Sequence, residues 1–443
     1  MSDNFLPPEN LPKNESRRQF IKTTSSAVVG GSLVIPMINT IPAFAKGNAD
    51  TLKVGLIGCG GRGTGAANQA MKADPNVKLV AMADAFEDRL QSSLGNLKKG
   101  HGDKVQVDPE HQFVGFDAYQ KLIDSDVDVV LLATPPGFRP QHLTAAVEAK
   151  KHVFAEKPMA VDGPGIRQVM AAAKKAKEND TAIMSGFCWR YHEPKRAIFG
   201  KILDGAVGDI GTIYNTYNTG VLWSKDRQPE WTAMEYQLRN WLYYKWLSGD
   251  HIAEQAVHSL DMMAWALGDK PPLSAVGTGG RQVRTDDKFG HVYDHFAIVY
   301  DYGDGQKGIH MSRQQFNCAN SYSVEVSGDQ GHALVDCIKG VHKIKGKNDK
   351  WRYRGEENDM YQTEHDELFA SIRNGSPVND GDFMAQSTLL AIMGRMAAYT
   401  GQVVTYDEAL NSQEKLGPEE YSWDLEYPVA AVPMPGIQDG VGR

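Results

Sequence analysis

The stretch Leu52-Lys53-Val54-Gly55-Leu56-Ile57-Gly58-Cys59-Gly60-Gly61-Arg62-Gly63 decides the fold of this chain. An apolar run of strand length leads into glycines spaced G-x-G-x-x-G at Gly58, Gly60 and Gly63, and a helical pattern follows over residues 63–73. Each glycine has a physical task. The first permits the tight turn, the second lets backbone approach a pyrophosphate, and the third lets helix pack on strand, while the helix N-terminus favours the phosphate charge. Gly61 and Arg62 lie in the same loop and are expected cofactor contacts beside the three glycines. Asp84 ends the next strand pattern, 77–83, twenty-one residues after Gly63. An acid there receives the adenosine ribose hydroxyls and repels a 2′-phosphate. The loop is therefore expected to hold NAD, with Arg62 leaving NADP open.

Outward from this loop, strand patterns at 53–57, 77–83, 127–134 and 152–155 alternate with helical ones at 63–73 and 140–149. That alternation is the mark of α/β architecture, a doubly wound parallel sheet covered on both faces. Ligands of such sheets collect at strand ends. Thr134-Pro135 closes one strand, and the next runs into Glu156-Lys157-Pro158. Thr134, Pro135, Glu156 and Lys157 are thus expected at the cofactor. Proline fixes the backbone after Lys157 and biases the lysine toward an extended conformation, aiming its ammonium into the crevice. A lysine at a strand end is ordinarily a solvated charge; at this crevice it is expected to be catalytic.

The second half reads differently. Alternating runs at 212–217, 275–281, 295–302, 306–312, 321–327 and 331–336, with turns such as Gly303-Asp304-Gly305, predict a large, mainly antiparallel open sheet. Helices over 359–372 and 383–398 are expected to cover it or return to the first domain. His258 is the decisive side chain here. On one continuous helix Glu254 lies at i−4 and Asp261 at i+3, so the three would share a face. An imidazole can exchange a proton with a substrate hydroxyl while a carboxylate orients it, so Lys157, His258 and Glu254 are the expected catalytic set. The plainer alternative is a core helix with one satisfied histidine. A metal held by Glu254, His258 and Asp261 is chemically possible, but hydride chemistry needs none, and no metal is expected. Trp189, Arg190, Tyr191, Asp261 and Tyr293 are the expected substrate contacts. The aromatic stretch Tyr217, Trp223, Trp231, Tyr236, Trp241, Tyr243, Tyr244 and Trp246 suits either sugar faces or packing.

On Gly58-Cys59-Gly60-Gly61-Arg62-Gly63, Ala155-Glu156-Lys157-Pro158 and Glu254-Gln255-Ala256-Val257-His258-Ser259-Leu260-Asp261, the chain resembles the Gfo/Idh/MocA family of sugar and cyclitol oxidoreductases over residues 52–406. The resemblance implies a Rossmann domain, a second α/β domain with an open sheet, hydride transfer at a sugar-like carbinol, and dimers or tetramers. Glu254 stands where the family commonly has Asp, so its longer side chain must sit differently. Asp261 matches a recurrent family position and is read equally as an anchor. A glycosidase acting by transient C3 oxidation is the alternative, although its His-Gly-Leu-Gly-Pro type segment is absent. A sugar-binding protein with a fossil cofactor site is a further one, disfavoured by the intact loop, Lys157 and His258.

Ahead of all this stands Ser16-Arg17-Arg18-Gln19-Phe20-Ile21-Lys22, a mildly apolar stretch to Ile41, and a small-residue cleavage pattern at Ala43-Phe44-Ala45. It reads as a twin-arginine signal that exports folded cargo to the periplasm, too polar to be a stable membrane span. Removing residues 1–45 takes away four basic and three acidic side chains, moving the net charge from -8 to -9. That balance argues against nucleic acid and anionic membranes as partners. An exported enzyme lacks a free NAD pool, so tightly held NAD is expected. The expected domains are 1–45 signal, 50–178 dinucleotide-binding, 179–410 substrate-binding and oligomerisation, and 411–443 an extended surface tail. Four cysteines are too few for a disulfide framework; Cys318 and Cys337 are read as either paired or free.

Overall fold

The computed structural model describes residues 50–347 and 349–436. The expected signal at 1–45 and the end of the tail lie outside the described residues. Six parallel strands form the first sheet: β1 (Leu52–Ile57), β2 (Val77–Asp84), β3 (Gln112–Val114), β4 (Val129–Leu132), β5 (His152–Ala155) and β6 (Ile183–Ser185), in the order β3-β2-β1-β4-β5-β6. All four residues of β4 are buried, as an unbroken apolar run between two helical layers requires. The order reverses between β1 and β4, so the crevice outside their carboxyl ends is where a ligand belongs. Strand β6 pairs with β5, Phe154 opposite Met184. The first domain therefore runs past the expected boundary at 178, which a three-residue strand was too short to signal.

Nine strands form the second sheet: β7 (Ile210–Thr219), β8 (Ser274–Gly280), β9 (His295–Gly303), β10 (Gln306–Gln314), β11 (Ser321–Gly328), β12 (Gly331–Asp336), β13 (Val341–Gly346), β14 (Lys350–Arg352) and β15 (Val404–Thr405). Their order is β14-β13-β12-β11-β7-β10-β9-β8-β15. Every pair is antiparallel except β7 with β10. Along β9 and β10 burial alternates, so one face of the sheet meets helices and the other is open.

The helix Gly381–Thr400 is buried nearly all round and joins the two domains. Tyr300 of β9 donates to its Leu390 carbonyl at 2.8 Å, and Thr388 Oγ1 accepts the Met159 N–H at 3.1 Å. The helix Met360–Arg373 returns to the first domain, where Gln362 Nε2 donates to the Gln69 carbonyl at 3.1 Å and Arg373 Nε to Asp74 at 2.7 Å. Cys318 and Cys337 are both free thiols.

Candidate functional site

Strand β1 ends in the glycine loop, and the loop opens the helix Gly61–Ala73. Gly58 has φ +97, a left-handed conformation that glycine adopts without cost, and a Cβ there would meet the Ala133 backbone at 2.6 Å. At Gly63 an added Cβ would stand 1.8 Å from the Gly58 carbonyl oxygen, so helix and strand touch backbone to backbone. Gly60 and Gly61 differ: a Cβ on either meets nothing within 4 Å. Their bareness serves open space rather than packing. Gly60 caps the helix without a side-chain hydrogen bond, and the first turn holds no acid. The N–H groups of such a helix start suit an anion such as a pyrophosphate.

That space is a cavity of about 500 Å³ lined by Gly58, Gly60, Gly61, Gly63, Asp84, Thr134 and Pro135, all expected from the sequence. Phe86, Arg89, Phe116, Phe138, His142, Trp223, Lys225, Arg239 and Trp241 also line it. Asp84 accepts the Cys59 N–H at 2.6 Å and the Phe86 N–H at 2.9 Å, bracing the loop, and burial raises its pKa. Each oxygen keeps a second lone pair for a ribose hydroxyl. Phe86 and Arg89 follow Asp84 directly, so position relative to the acid could have found them. Trp223, Lys225, Arg239 and Trp241 arrive from the second domain, where the aromatic stretch was the signal. Arg239 forks onto Asp88 at 3.2 Å and lies 4.0 Å from the Phe86 ring centroid, closing the second domain over the crevice. Tyr243, Tyr244 and Trp246 are buried packing residues.

Arg62 lines the cavity but is engaged elsewhere. Its Nε lies 2.5 Å from Glu156 Oε1, Nη2 donates to Gln69 at 2.7 Å, and the guanidinium covers Tyr361 at 5.0 Å. The expected cofactor contact of Glu156 is likewise taken by Arg62, because Glu156 is buried and needs a counter-charge. Glu364, on the helix behind, is fully buried with neither oxygen hydrogen-bonded, and burial beside Glu156 pushes its pKa well up.

One residue beyond Glu156, Lys157 crosses to the second domain. Its Nζ donates to the Glu254 carbonyl and lies 3.5 Å from Glu254 Oε1; the Lys157–Pro158 peptide is cis. The continuous helix expected around His258 is broken. The helix His251–Glu254 ends with the Ala256 N–H reaching the His251 carbonyl at 2.9 Å, five residues back, and a new helix starts at Val257–Ala266. This break turns Glu254 toward Lys157 and separates it from the face carrying His258. The His258 ring packs against Trp189 with centroids 4.9 Å apart and edge-on to Phe187 at 6.2 Å. Its Nδ1 is buried and has no partner in the protein. Burial, then the Lys157 and Lys195 cations, hold its pKa well below the ordinary value, so the imidazole is neutral. Lys157 thus contacts Glu254, directly after the Glu156 that pairs with Arg62 of the cavity wall, while His258 packs on Trp189, which has Tyr217 beside it at 6.2 Å.

Four expected substrate contacts are corrected. Asp261 takes two bonds from Arg190 Nε, at 2.9 and 3.1 Å, and one from Ser387 at 2.7 Å. Arg190 also forks onto Asp269, at 3.0 Å through Nη1, and stacks on Phe383 at 4.0 Å. Both are spent on an anchor, because a buried carboxylate must be paired. The Tyr191 hydroxyl donates to Asp380 at 2.6 Å inside the core. Tyr293 is buried, with its hydroxyl on the Pro433 carbonyl at 2.8 Å. Glu254, His258 and Asp261 point to three different sets of partners and do not converge on one point.

Comparison with known proteins agrees with this architecture. Residues 52–187 match the oxidoreductase family with an NAD-binding Rossmann fold, and residues 201–334 match the GFO/IDH/MocA C-terminal domain. Inositol 2-dehydrogenase of Rhizobium meliloti (strain 1021) is 24% identical over 323 residues, 72% of this chain and 86% of that protein. Myo-inositol 2-dehydrogenase of Thermotoga maritima is 22% identical over 335 residues, 74% of this chain and 90% of that one. Among solved structures, aldose-aldose oxidoreductase from Caulobacter crescentus, complexed with glycerol, superposes with TM-score 0.64 at 18% identity, covering 80% of this chain and 99% of that one. Levoglucosan dehydrogenase in complex with NADH and levoglucosan gives TM-score 0.64 at 20% identity, covering 81% and 100%. The two family matches together span more than half of the chain, over the glycine loop and most of both sheets, and the chain belongs to the Gfo/Idh/MocA family of NAD-binding oxidoreductases.

Proposed function

We propose that this oxidoreductase acts on a carbinol of a sugar, cyclitol or glycoside and keeps its NAD bound through turnover. The observation that carries the reading is Lys157, which follows the strand end, is fixed by Glu254 of the second domain and acts electrostatically on His258, a neutral imidazole whose Nδ1 has no partner. Bound NAD would take the hydride from the carbinol carbon and, being retained, would return it within the same cycle or to a second, carbonyl substrate. The His258 imidazole, already neutral, accepts the hydroxyl proton, and the Lys157 ammonium stabilises the negative charge that develops on the oxygen. Glu254 holds that ammonium in place. Trp189 offers an aromatic face beside His258, and the names of the inositol and levoglucosan relatives support a polyol or sugar there.

Two features support cofactor retention. The twin-arginine pattern at Ser16–Lys22 argues for export of the folded protein to the periplasm, where NAD is not replenished, and Arg239 ties the second domain over the cavity. Among the described residues no helix is long and apolar enough to cross a membrane. The open sheet face exposes Val276, Val299 and Met311, which supports self-association as a dimer or tetramer.

The test incubates purified protein with a panel of free sugars, cyclitols and glycosides while following nicotinamide absorbance and released aglycone together. A keto product with stoichiometric cofactor reduction is expected. Aglycone release without net reduction would replace this reading with a glycosidase, and protein that carries and binds no cofactor would remove the retention.

A further inference from the structure

The chain beyond the helix Tyr406–Asn411 has no regular secondary structure, yet its burial alternates. Tyr421, Trp423, Leu425 and Tyr427 are half-buried, whereas Ser422, Asp424, Glu426 and Pro428 are exposed. A period of two marks an extended segment with one face against the protein. The segment is tied at both ends. Leu416 donates its N–H to Asp162 at 2.8 Å, Lys245 pairs with Glu414 at 3.2 Å, and Gln237 Nε2 donates to the Tyr427 carbonyl at 2.7 Å. What it covers is the outside of the cofactor cavity. The Trp423 ring lies 4.5 Å from Phe116 and 5.3 Å from Phe86, and both of these line the cavity. Tyr421 stacks on Phe116 at 5.6 Å with 19° between planes, and its centroid is 5.0 Å from that of Phe138, a third wall residue.

We propose that residues 412–427 are a strap that holds the aromatic wall at the adenosine end of the cavity and slows dissociation of the dinucleotide. Phe86 stands two residues after Asp84, the ribose acid, so this wall faces the purine half of the ligand. Phe86 and Phe116 lie on loops after β2 and β3, and loops move readily unless packed. Trp423 and Tyr421 supply that packing from outside, and Arg239 contacts Phe86 as well. The inference rests on the retained-cofactor reading and names the residues that would produce it.

The test uses the full-length exported protein loaded with NADH, whose release is followed by fluorescence after a chase with excess NAD. Trp423→Ala and Tyr421→Ala are expected to release NADH about tenfold faster or more, since each loses aromatic pairs against the wall. The association rate should change little, and Trp423→Phe should recover most of the effect. Should Trp423→Ala not fold, Trp423→Leu decides, because it keeps apolar burial and loses the ring. Release at the wild-type rate from the folded variants overturns the proposal. Rapid release from the wild type disproves retention itself, while the ratio of variant to wild type still decides the strap.

Discussion

Replacing each of two glycines by alanine separates cofactor binding from folding. At Gly60 the backbone is extended, φ -69 and ψ -176, and an added Cβ meets no atom within 4 Å. Alanine there is unstrained and restricts the unfolded chain, so the cofactor-free protein should be as stable as wild type or more stable by up to about 1 kcal/mol. The methyl instead projects into the space where backbone N–H groups must approach the pyrophosphate. Forcing a charged group off its donors costs about 1–3 kcal/mol, a loss of roughly 5- to 150-fold in affinity. At Gly63 the added Cβ would be 1.8 Å from the Gly58 oxygen and 3.1 Å from Ala133 Cβ. Normal contact needs about 3 Å, so the helix must retreat by more than an ångström, an overpacking of about 1–3 kcal/mol or more. Urea unfolding without cofactor and NADH titration by fluorescence measure the two effects independently. If Gly60→Ala binds NADH like wild type, or unfolds as readily as Gly63→Ala, the assignment of open space to the pyrophosphate is wrong.

Lys157→Met keeps an unbranched side chain one atom shorter and without the charge, and should lower kcat about 10²- to 10⁴-fold while NADH affinity holds, as steady-state rates and titration would show. Asp261→Ala leaves the Arg190 guanidinium without its buried partner and should cost about 3–5 kcal/mol in unfolding free energy, with the NADH constant unchanged; a pure activity loss at full stability would contradict the anchor role. Burial holds His142, His310 and His365 down to about 3. Their unfolded value is near 6.5, so the unfolded chain takes up protons first and stability falls as pH drops below that point. Between pH 6.5 and 5.5 the loss is about 1 kcal/mol per histidine, offset in part by Glu364, whose carboxyl is held high. Equal unfolding free energies at the two pH values would refute this linkage.

Much of the cofactor half was legible because its signals are local. Strand, glycine turn, helix and acid follow one another within residues 52–84, and each residue type is required by backbone geometry or by one hydrogen bond. Lys157 was legible for a similar reason, since a strand end of a parallel sheet is a crevice. Sequence spacing failed at His258, where it assumed one helix. The break at Gln255–Ala256 carries no local sequence mark, and it separates Glu254 from the helix that holds His258 and Asp261.

The tail shows the same division from the other side. Its alternation at Tyr421, Trp423, Leu425 and Tyr427 stands in the sequence, but an extended surface segment and a strap share one local pattern. Sequence by itself determined the two-sheet architecture, the dinucleotide loop and the lysine at the crevice, because period and turn chemistry act over a few residues. Tertiary structure alone decided which charges are spent on each other. Arg62 with Glu156, Arg190 with Asp261 and Lys157 with Glu254 pair across 71 to 97 residues, and a buried charge takes whichever counter-charge the fold brings within reach.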